Sequence, residues 1–222
     1  MEREAGQGSG AGEAAAAGVP LDHPIFTESV RRIRAWLGDT GLEGVEQEVL
    51  ERLVHSSGDP GLATLLRFSP GACAAGLEAL AAGAPLLTDT AMAAAAVAPM
   101  ARRTLGSPVL NVLRWAPAVA PSGGTRAAAG MERALAEHPG AVVLIGSAPT
   151  ALERLLEGVA VGAPAPALVI GMPVGFVGVL ESKRRLARSG LPQIRLEGSR
   201  GGAGLVAAAA NALLRHGWLR SG

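Results

Sequence analysis

The apolar run Ala167-Leu168-Val169-Ile170 passes straight into Gly171-Met172-Pro173-Val174-Gly175-Phe176-Val177-Gly178, and a helical pattern leaves through Glu181-Ser182-Lys183. An unbroken apolar run of this length fits a strand buried on both faces. The glycines and the proline break it before a helix begins. In an open parallel sheet such a joint lies at the carboxyl end of the strands, where ligands bind. Glycine there lets backbone approach a flat ligand, because no Cβ intervenes. The same residues would also suit a tight connecting loop with no ligand at all.

The strand–loop–helix unit recurs along the chain. Short apolar runs at residues 85–87, 109–113, 141–145, 168–171 and 194–196 each lead to a polar or glycine-rich loop and then to a helical segment. Alternation of this kind predicts an α/β fold with a parallel sheet covered on both faces. Two helices, over residues 25–37 and 44–55, precede the alternating part. Residues 1–19 are Gly/Ala-rich without apolar periodicity and read as a disordered tail; residues 20–217 read as one domain.

Composition removes several function classes. Aromatics make up 3% of the 222 residues and Tyr is absent, which argues against a base-stacking surface. A net charge of +1 provides no field to attract nucleic acid or a membrane surface. The single Cys73 excludes a disulfide framework and fits a reducing, cytoplasmic setting. No run is long enough to span a membrane. The four histidines, His23, His55, His138 and His216, have no metal-ligand spacing. The GxxxxGK[ST], GxGxxG and GxSxG fingerprints are missing, which counts against a nucleotide-binding enzyme or a serine hydrolase.

Polar residues gather after the strands: Thr88, Asp89 and Thr90; Thr125 and Arg126; Ser147 and Thr150; Ser182 and Lys183; Ser199 and Arg200. Each set alone is ordinary helix capping. Together, helix N-termini on one side of a sheet form an anion cradle. Arg126, Lys183 and Arg200 would add full charges suited to carboxylates. His55 falls in the last turn of its helix, ahead of Gly58. That position suits either a dipole contact or acid–base chemistry.

The stretch GMPVGFVG followed by ESK resembles the signature of the precorrin-8X methylmutase family of corrin ring biosynthesis. Other landmarks share the family's order: Ser29 in the first helix, His55 ending the second, FSPGA at residues 68–72, AGAPLLTDT at 82–90, Thr125-Arg126, APTALERLLE from Ala148, and RGG from Arg200. The chain differs from the family's usual pattern at Ser56-Ser57, where Ala-Cys is common, and at Ser147, where Asn is common. Its stretch from Arg114 to Gly124 is also shorter and contains Trp115.

The resemblance implies a three-layer α/β/α sandwich with a five-stranded parallel sheet. It implies a methyl shift from C-11 to C-12 of precorrin-8X giving hydrobyrinic acid, or of cobalt-precorrin-8 giving cobyrinic acid, with no cofactor. A non-catalytic corrinoid-binding protein on the same fold is the alternative. His55 corresponds to the catalytic histidine, expected to protonate or hydrogen-bond a ring nitrogen, and Ser29 and Arg126 correspond to pocket positions. Thr88, Asp89, Thr125, Ser147, Thr150, Gly171, Pro173, Gly175, Lys183 and Arg200 complete the expected substrate-binding set, with no metal ligand. A homodimer with sites near its interface is also implied.

Overall fold

A computed structural model describes residues 21–221; the expected tail, residues 1–19, lies outside the described residues. Helix α1 (Pro24–Leu37) and helix α2 (Gly44–Ser57) lead through a 3-10 turn at Pro60–Thr64 into strand β1 (Leu66–Phe68). The alternating part follows: α3 (Ala72–Ala81), β2 (Leu86–Thr88), α4 (Ala91–Arg103), β3 (Val109–Asn111), α5 (Arg126–Glu137) and β4 (Val142–Ile145). It continues with α6 (Pro149–Ala160), β5 (Leu168–Gly171), α7 (Val179–Arg188), β6 (Gln193–Leu196) and α8 (Ala203–Ser221).

The sheet order is β1-β6-β5-β4-β2-β3. The five expected strands are all present and mutually parallel. The sheet has a sixth member, however. Strand β1 runs antiparallel at the border, with Leu66 opposite Leu196 and Phe68 opposite Ile194. Three residues just ahead of Ser69-Pro70 carry too little periodicity to mark a strand, and β6 supplies the pairing from far along the chain.

Strand alternation divides the core between two helical layers. Val142 and Leu144 of β4, with Leu168 and Ile170 of β5, pack toward α2, α3, α4 and α8. Val143, Ile145 and Val169 pack the other way, toward Met131 and Leu135 of α5, Leu155 of α6 and Leu186 of α7. Side chains that alternate across a sheet buried on both faces give the expected three layers. Alanines on α8, Ala207 to Ala210, are nearly or wholly buried, so small side chains let this helix run close beneath its neighbours.

Candidate active site

Helix α2 ends at Gly58, whose φ of 68° is the left-handed turn glycine takes without strain; its N–H donates to Val54 O at 2.8 Å. This stop leaves His55 in the last turn. From α1, Ser29 places its Oγ 2.9 Å from His55 Nδ1. When the hydroxyl donates, Nδ1 is the acceptor and the ring proton sits on Nε2. The Phe26 ring meets the imidazole edge-on, with centroids 5.1 Å apart. Two side chains of α1 thus hold one imidazole of α2.

His55 keeps exposed surface, yet its pKa is lowered. Partial burial is the larger cause and the positive charge of Arg52 the second. The imidazole opens onto a cavity of about 370 Å³ whose walls include Arg52, Ser56, Ala96, Ala207 and Asn211. Half of the lining residues are alanine and glycine from α4 and α8, whose small side chains keep that wall open.

The strand-end residues divide between two roles. Asp89 is almost completely buried, and its Oδ2 accepts N–H groups from Gly146 (3.1 Å), Ser147 (2.6 Å) and Ala148 (2.8 Å). Burial raises its pKa while these three donors pull it back down. Lys183, also buried, donates from Nζ to Gly198 O at 2.8 Å and Arg200 O at 2.6 Å. Burial, with Arg195 nearby, pushes its pKa down to about 8. Thr88 Oγ1 donates to Thr90 O at 3.1 Å and has no exposed surface. Gly171 faces Leu186 of α7 at close range, and Pro173 is buried.

These five expected ligand contacts are all buried in this structure. Among them, the side chains of Asp89, Lys183 and Thr88 satisfy backbone groups that the strand ends leave open. Gly201 shows how tightly the loops are joined: a Cβ there would overlap the Met172 carbonyl, which accepts the Gly202 N–H at 2.9 Å. Gly175 N–H donates to Ser199 O at 3.2 Å. Arg200 pairs with Asp59 at 2.8 Å, tying the loop before α8 to the turn after His55.

A second polar group lies at the start of α5 and α6. Thr125 Oγ1 and Thr150 Oγ1 are 2.8 Å apart, and Arg126 Nε donates to Pro117 O at 2.9 Å. Thr125 and Thr150 line a cavity of about 410 Å³ with Gly123, Glu132 and Arg154. This cavity belongs to the α5–α6 layer and the His55 cavity to the α2–α4–α8 layer. The structure thus joins His55 to Ser29, and Thr125 to Thr150, but does not bring the two groups into one cavity.

Two residues beside His55 escape sequence reasoning. Arg52 lies three residues before it, hence on the same helix face, a spacing that could have marked it. Phe26 carries no such signal. Among the described residues no cluster of three or more His, Cys, Asp or Glu could hold a metal, and no helix is long and apolar enough to cross a membrane.

The fold is thus a mostly parallel α/β sandwich that presents one oriented histidine at an open cavity. Residues 24–216 match the family described as Precorrin-8X methylmutase, and the chain belongs to that family. It is 38% identical over 214 residues to the cobalt-precorrin-8 methylmutase of Synechocystis sp., covering 90% of this chain and 98% of that one. It is 44% identical over 194 residues to the precorrin-8X methylmutase of Pseudomonas aeruginosa, covering 85% and 93%. The solved precorrin-8X methylmutase from Thermus thermophilus superimposes with a TM-score of 0.79 at 40% identity, covering 88% of this chain and 96% of that one.

Proposed function

We propose that the chain is an isomerase that moves a methyl group from C-11 to C-12 of precorrin-8X, or of its cobalt-containing counterpart. The observation that carries this reading is the His55–Ser29 pair at the mouth of the small-walled cavity. In the step, the bond from the methyl carbon to C-11 breaks as the bond to C-12 forms, and the ring double bonds shift to compensate. Every atom is conserved, so no co-reactant is required. His55 protonates or hydrogen-bonds a ring nitrogen, which draws electron density toward that nitrogen and eases the shift. A positioned proton donor contributes typically about 10²–10⁴-fold.

Residues 20–217 act as one catalytic domain in a cytoplasmic setting. Arg126, Thr125 and Thr150 reach the substrate through a homodimer, in which one copy supplies His55 and the other supplies this second group. Their location in opposite helical layers of one copy supports that arrangement.

The test is the visible spectrum of the protein incubated with precorrin-8X, because the shift changes ring conjugation. Wild type is expected to yield a hydrobyrinic-acid-like spectrum, and His55→Ala is expected to bind the ring without converting it. A static, shifted spectrum from wild type would make the chain a corrinoid-binding protein instead. Mixing inactive His55→Ala and Arg126→Ala copies should restore part of the activity if each site draws on two chains. A mixture as inactive as its components would place the whole site within one.

A further inference from the structure

Arg52 stands out among the arginines. Arg195 and Arg215 are half-buried like it, and both have carboxylate partners: Glu197 for Arg195, Asp22 and Glu48 for Arg215. Among the described residues Arg52 forms neither an ion pair nor a hydrogen bond. Its guanidinium lies over the Phe26 ring, 4.3 Å from the centroid. Stacking occupies the flat face of a guanidinium and leaves its rim of N–H donors directed sideways. A half-buried cation with five donors and no protein acceptor is an unusual expense for a fold.

Its position gives the donors a destination. Arg52 lines the His55 cavity, and it also lines a separate cavity of about 210 Å³ beneath α1, with Phe26, Val30, Glu51 and Arg215 among its walls. The carboxylates around this smaller space are engaged. Asp22 and Glu48 bind Arg215, and Glu51 accepts two bonds from Arg34 at 2.7 and 3.0 Å. The smaller cavity is far too tight for a macrocycle but has room for one short side arm.

We propose that Arg52 is a carboxylate anchor: it holds one acidic arm of the macrocycle in the smaller cavity and so positions the ring over His55. This assignment rests on the corrinoid reading above and extends it to a subsite and a residue. Arg52 touches an arm remote from the migrating methyl group, so it binds and orients the substrate and takes no part in the proton transfer. Phe26 couples the two functions, since it meets Arg52 with its face and the His55 ring edge to face.

The experiment is a visible-absorbance titration of wild type, Arg52→Gln and Arg52→Lys with hydrobyrinic acid, repeated with the product's arm carboxylates converted to methyl esters. The melting temperature of each protein is measured without ligand. A charge-assisted fork predicts binding of the acid about tenfold to a hundredfold weaker in Arg52→Gln, with Arg52→Lys between. With the ester, wild type and Arg52→Gln should bind alike. Melting temperatures should agree within about 4 °C, because no internal ion pair is lost. Equal affinity of wild type and Arg52→Gln for the acid would overturn the assignment. So would a large fall in melting temperature in both variants, which would make Arg52 a counter-charge for the Asp22 cluster. Failure of wild type itself to bind the acid would instead sink the corrinoid reading.

Discussion

Ser29 Oγ and His55 Nδ1 are 2.9 Å apart although 26 residues separate them in the chain, and their contact joins the first helix to the end of the second. An imidazole held at one nitrogen can rotate little and presents the other nitrogen in one direction. Orientation of this kind converts a basic side chain into a directed proton donor or acceptor.

Ser29→Ala removes the tether and leaves the helix intact. The expected result is a fall in kcat of about tenfold with a smaller change in KM, since the proton-bearing group loses alignment but stays in place. A Ser29→Ala enzyme with unaltered kcat would mean that Phe26 alone holds the ring.

The pH profile should show His55 directly. Burial and Arg52 lower its pKa. If the imidazolium form is the one that acts, kcat/KM declines as pH rises through a value below the ordinary histidine figure of about 6.5. Carbon-detected NMR of the labelled imidazole in the free enzyme should report the same midpoint. Titration at or above the ordinary figure would contradict the assigned surroundings.

Asp89 predicts a stability effect. Asp89→Ala strips one acceptor from three N–H groups of the β4–α6 loop, and is expected to cost about 3–5 kcal/mol by chemical denaturation. Asp89→Asn should cost less, because an amide oxygen can still accept those bonds. Equal losses in the two variants would show that the charge, and not the acceptor, holds the loop.

Lys183 predicts a pH-dependent one. Its folded pKa is about 8, whereas the unfolded chain keeps the proton to about 10.4. Between these values the unfolded state binds more protons, so stability rises with pH. The contribution is complete above the unfolded value and is lost as pH falls through 8. Compared with Lys183→Met, wild type should therefore gain melting temperature between about pH 7.5 and pH 9.5. Parallel curves for the two proteins would remove this role. Neutral Lys183 still has two N–H donors for its two carbonyl partners.

Gly201→Ala should be among the most damaging single-methyl changes in the chain. The added carbon would collide with the Met172 carbonyl, and both partners are backbone atoms that cannot swing aside. Loss of about 3 kcal/mol or more is expected, read from the denaturant midpoint. A stable variant would show that the joined loops have more slack than their hydrogen bonds imply.

The parallel part of the fold is legible because its strands are short, largely apolar runs between helical patterns, most clearly at Ala141 to Ile145. Strand β1 is not, since Leu66-Arg67-Phe68 becomes a strand only by pairing with residues 194–196. His55 could be picked out by its place in a helix-ending turn and by the resemblance. Its tether to Ser29 depends on how two helices cross. Asp89 and Lys183 resemble ligand contacts in sequence because a polar side chain after a strand looks alike whether it meets a substrate or a loop. Burial separates the two cases, and burial is a property of the assembled chain. Arg52 is inconspicuous for the converse reason: it sits among Leu50, Leu53 and Val54 in sequence, and only the packed structure leaves it without an ion pair or hydrogen bond among the described residues.

The antiparallel border strand also bears on solubility. An open sheet exposes unpaired backbone at both ends, and another chain can add there as a further strand. Here each outermost strand, β1 and β3, is only three residues long. At the β1 end Arg67 pairs with Glu197 at 2.9 Å and places charge along the rim. Two short borders, one of them charged, give an incoming strand little to grip, which opposes edge-to-edge growth of the sheet.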